Sequence, residues 1–106
     1  MNPDTTPEPE WPTPEAAYAT APSVISEIGW TARTATDRPF GTTTSREFWL
    51  RKAALLDRIA LEAPAGGAPE AATRAAHQLM EHDGVTTVCD PRHYVRQQYA
   101  RWTTDS

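Results

Sequence analysis

Thr44-Ser45-Arg46-Glu47-Phe48-Trp49-Leu50-Arg51-Lys52-Ala53-Ala54-Leu55-Leu56-Asp57-Arg58-Ile59-Ala60-Leu61-Glu62-Ala63 decides the fold. Thr44 and Glu47 fit a capping box, in which the hydroxyl accepts from a first-turn amide and the carboxylate reaches back. Pro64 disfavours helical geometry in the residue before it, so the spacing predicts a helix over 44–63. At about 100° per residue, Glu47, Arg51, Arg58 and Glu62 share one narrow polar stripe. Lys52 and Asp57 are the charges that fall off it. Phe48, Trp49, Leu50, Leu55, Leu56, Ile59 and Leu61 cover most of the remaining surface. A helix apolar over that much of its circumference is central and needs neighbours on at least two sides.

Those neighbours are predicted downstream. Pro64 to Ala68 is rich in turn residues, and Pro69 is placed to open a second helix. Ala71, Ala72, Ala75, Ala76, Leu79 and Met80 lie on one half of that helix, opposite Glu70, Arg74, His77, Gln78 and Glu81. Gly84 is the expected left-handed cap. Val85 to Val88 reads as an extended connector or a small edge strand. Asp90 and Pro91 start a third helix as cap and first residue. It sets Tyr94, Val95, Gln98, Tyr99 and Trp102 on one stripe, and Arg92, His93, Arg96, Gln97 and Arg101 on the remainder. The expected fold is mainly α, with three helices over about 44–63, 69–83 and 90–103.

Upstream the character changes. Seven of the ten prolines precede residue 45, and the whole net charge of −4 lies there, two arginines facing six acids. Sequence of that kind buries too little apolar area to offset the entropy of ordering. Residues 1–22 are therefore expected to be a disordered acidic tail. An apolar island, Ser23 to Trp30, follows, with Ser23 capping one turn and Gly29 stopping it. Residues 31–43 read as irregular linker, which leaves 44–106 as the helical domain. Some sixty residues make a thin core. The island docks on the domain, or waits for a partner, or a second copy completes the burial.

Bulk charge does not attract nucleic acid or anionic lipid. One cysteine, Cys89, permits no internal disulfide and fits a reducing compartment. No stretch approaches a membrane span, and the N-terminus lacks the basic and apolar regions of a secretory signal. The expectation is a cytoplasmic protein without membrane contact.

The residues offer four chemistries. His77, His82, Cys89 and His93 lie close in sequence, but His77 and His82 point about 140° apart on one helix. Exposed histidines beside a turn are the better reading than zinc. Cys89 before a helix N-terminus with His93 four residues on has the makings of a nucleophile and base. Three helices give little concavity for a substrate, so a small structural cysteine is preferred. No phosphate loop, carboxylate pair or Ser/His/Asp arrangement is visible, and neither catalysis, metal nor cofactor is expected. Arg92, Arg96 and Arg101 give the last helix a basic face that can meet phosphates, so a small DNA-associated regulator is the alternative. The preferred reading is a non-enzymatic protein–protein interaction module. Its anchors are Trp11, Val24, Ile25, Ile28 and Trp30, with Tyr18 beside them, apolar residues in a segment otherwise unable to fold.

Overall fold

The computed structural model describes residues 12–37, 45–86 and 90–105. Those residues form five helices and no strand: α1 (Pro14–Ala17), α2 (Val24–Asp37), α3 (Arg46–Glu62), α4 (Ala68–Asp83) and α5 (Pro91–Asp105). The last three are the helices expected from the sequence, each starting and ending within two residues of its predicted bounds.

α3 is central. It packs against α2, α4 and α5, and α4 also meets α5. The core is Leu50, Ala53 and Ala54 from α3, Ala75, Ala76, Leu79 and Met80 from α4, and Tyr94, Val95 and Tyr99 from α5. Small side chains on both facing helices let α3 and α4 approach closely, since side-chain size sets interaxial distance. Gly66, at a φ of 81°, helps turn the chain between them, and Gly84, at 74°, is the left-handed cap of α4.

Three expectations are corrected. The cap of α3 is Ser45, whose hydroxyl accepts the Phe48 N–H at 3.3 Å. Glu47 turns along the helix to Arg51. The island does not stop at Gly29. Ser23 caps it as expected, accepting the Ser26 N–H, but the helix runs on to Asp37 through the stretch read as linker. Finally, order begins well before residue 22. Thr13 accepts the Ala16 N–H and caps α1, and Pro14 supplies a helical φ at the first position. Trp11, the Thr44 cap, Cys89 and, of the Val85–Val88 connector, Thr87 and Val88 lie outside the described residues.

Candidate interaction surface

α2 has two faces. On the inner one, Glu27 is 3% exposed and accepts two hydrogen bonds from Arg51 of α3, at 3.0 and 2.6 Å. The same guanidinium donates to Glu47 at 2.8 Å and lies 3.6 Å from the centre of the Trp30 ring. One cation thus holds two carboxylates and an aromatic face, and the bidentate geometry fixes orientation as well as distance. Trp30 also packs against Phe48, with ring centroids 6.4 Å apart. On the outer face Ile25 is 81% exposed and Ile28 47%. Val24 is half-buried.

The sequence-derived anchors therefore separate. Trp30 is spent inside the molecule. Ile25 and Ile28 face solvent, and Val24 sits at the border. The island is docked on α3 by one side and exposed to solvent on the other.

A second ionic centre ties α5 to α3. Asp57 is fully buried. It accepts from Arg92 Nε at 2.5 Å, from Arg96 Nε at 2.8 Å and Nη2 at 3.0 Å, and from the Tyr18 hydroxyl at 2.7 Å. Burial alone would raise this carboxyl, but the Arg96, Tyr18 and Arg92 hydrogen bonds outweigh it and hold it below the ordinary carboxylate range. Tyr18 is pushed strongly upward, first by burial and then by the Asp57 charge, so its phenol stays a donor. A third centre joins α3, α4 and α5. Arg46 grips Asp83 with two bonds of 2.8 Å, and the Tyr94 hydroxyl donates to the same carboxylate at 2.6 Å. The Arg46 hydrogen bonds bring Asp83 down to about 2, while burial, followed by Asp83 itself, lifts Tyr94 to about 12.

These centres correct the expected basic face of α5. Arg96 is 8% exposed and Arg92 is largely covered, both directed at Asp57. Arg101 alone of the three is exposed. A phosphate reaching Arg92 or Arg96 would compete with a carboxylate already in place. His77 is exposed, His82 lies 3.4 Å from Asp83, and His93 lies 3.7 Å from Asp90. Among the described residues no three potential ligands converge on a metal position, and no helix is long and apolar enough to cross a membrane.

Sequence reasoning named Tyr18 as an apolar anchor for a partner, whereas it packs within the molecule, and did not single out Glu27 or Asp57. A signal existed for Asp57, a lone acid off the polar stripe of a central helix, because such a charge must find a partner when buried. No protein-family model, curated protein or solved structure matches the chain.

Proposed function

We propose that this chain is a non-enzymatic, cytoplasmic protein–protein interaction module, and that it meets its partner with the outer face of α2. The observation that carries this reading is the exposure of Ile25 and Ile28 on a helix whose inner face is clamped to the domain by Glu27 and Arg51. A clamped helix presents its apolar side chains in a fixed array, so a partner need not order them first. Burying Ile25 would contribute roughly 1.5–3 kcal/mol by apolar transfer, and Ile28, already half covered, about half as much.

The experiment is retention on immobilised chain from the native lysate. Wild type and an Arg101→Ala control are expected to hold the same protein, and the double variant Ile25→Glu, Ile28→Glu is expected to lose it while melting as wild type does. Equal retention by the double variant would defeat the assignment of this face.

A further inference from the structure

α1 is four residues long, too short to persist without tertiary support. Ala17 is buried and Tyr18 closes the turn. Among the described residues, Tyr18 is the side chain of the 12–22 segment that hydrogen-bonds across to another helix, through its hydroxyl to Asp57. Its ring stands edge-on to Tyr99 at 5.3 Å, and the Arg58 guanidinium lies 5.7 Å from its centre. The ring thus sits in a socket with a carboxylate at the bottom, an aromatic wall on one side and a cation on another.

Asp57 does not depend on the phenol for its charge balance. Without the phenol, Asp57 keeps three N–H donors from Arg92 and Arg96, so its charge stays compensated. Tyr99 belongs to the core cluster built by α3, α4 and α5. The phenol hydroxyl, by contrast, has Asp57 as its one hydrogen-bond partner among the described residues. The asymmetry is that of a built site and a removable ligand.

We propose that the Asp57–Arg58–Tyr99 socket is a recognition site for a tyrosine borne on a short helical turn, and that α1 is its tethered occupant. In the closed chain α1 is a strap that blocks the site. When it lifts, the same contacts are open to a tyrosine-bearing segment of another chain. The connector between Tyr18 and Val24 is five residues long, so a lifted strap stays tethered beside its seat at an effective concentration on the order of millimolar. A competing segment must bind better than that or arrive when the strap is displaced.

The probe is a fluorescent peptide with the sequence of residues 12–22, titrated by anisotropy into full-length chain carrying Tyr18→Ala. Saturable binding is expected, at least about tenfold tighter than to wild type, whose site is filled. The same peptide carrying Tyr18→Phe is expected to bind about tenfold more weakly or worse, because it lacks the hydrogen bond to a charged acceptor. A folded variant that does not bind, or binds both peptides equally, overturns the proposal. So does a Tyr18→Ala chain that loses its helical circular dichroism, since a strap must be dispensable to the domain beneath. Hydrogen exchange on the wild type gives an independent reading. The Ala17 and Tyr18 amides, bonded to Thr13 and Pro14 carbonyls, should exchange at least about a hundredfold faster than those of Leu50 and Leu55. Equal rates would mean that α1 opens only with the whole molecule.

Discussion

Asp57 and Asp83 are the residues whose chemistry reaches furthest. Asp57 is buried, and its worth is defined by what its removal leaves behind. Asp57→Ala strands the buried Arg96 without a counter-ion, a loss expected to cost about 3–5 kcal/mol. Urea denaturation measures it, and a cost below about 1 kcal/mol would mean that the arginines find other partners. Asp83 makes a pH prediction. Its carboxyl falls from 3.8 to about 2 on folding. A depressed carboxylate stabilises fully above its unfolded value and loses that contribution as pH falls through the folded one. The window is thus from about pH 4 down to about pH 2, and the contribution is about 2 kcal/mol at most. Asp57 is lowered too and adds to the same acid loss. The Asp83 share is therefore read as the difference between wild type and Asp83→Asn, whose melting temperatures should converge as pH approaches 2. A constant gap across that window would refute the assignment.

The helices differ in how far their own residues account for them. α3 was legible because everything that makes it a helix is local: periodic apolar residues, a hydroxyl at its start and Pro64 at its end. Only its cap moved, from Thr44 to Ser45. α4 and α5 were legible for the same reason, down to Gly84 and the Asp90 carboxylate that accepts the Arg92 N–H at 3.0 Å. α2 was not. Gly29 and the threonines beyond it have low helix propensity, and what carries the helix past them is tertiary, the Glu27–Arg51 clamp and Trp30 against Phe48. α1 carried a readable start in Thr13-Pro14-Glu15, but acid and proline content obscured it. Substitutions should reflect these origins. Ser45→Ala removes a cap and is expected to cost about 0.5–2 kcal/mol. Leu50→Ala opens the core and should cost about 2–5 kcal/mol. Ile25→Ala should stay within about 0.5 kcal/mol of wild type, because its side chain contacts mostly water. Thermal melts of the three variants test the order. A large loss at Ile25 would show that the outer face of α2 is already covered in the isolated chain.

The domain is held together by pairs that join distant parts of the chain: Glu27 to Arg51, Arg46 to Asp83, and Asp57 to Arg92 and Arg96. None of these pairings was readable in advance. Sequence periodicity places a side chain on a face but does not say which face of another helix it will meet. Arg92 and Arg96 were set on an outer face for that reason, and only the crossing of α5 over α3 turned them inward. The same geometry has a consequence for synthesis. Tyr18 is made early, whereas Arg92, Arg96 and Tyr99 of its socket come 74 or more residues later. At about 5–20 residues per second, roughly 4–15 s separate the strap from the helix that completes its seat. Throughout that interval the nascent chain carries the strap with no seat to fill, so the segment that closes the finished protein is the one left waiting on the ribosome.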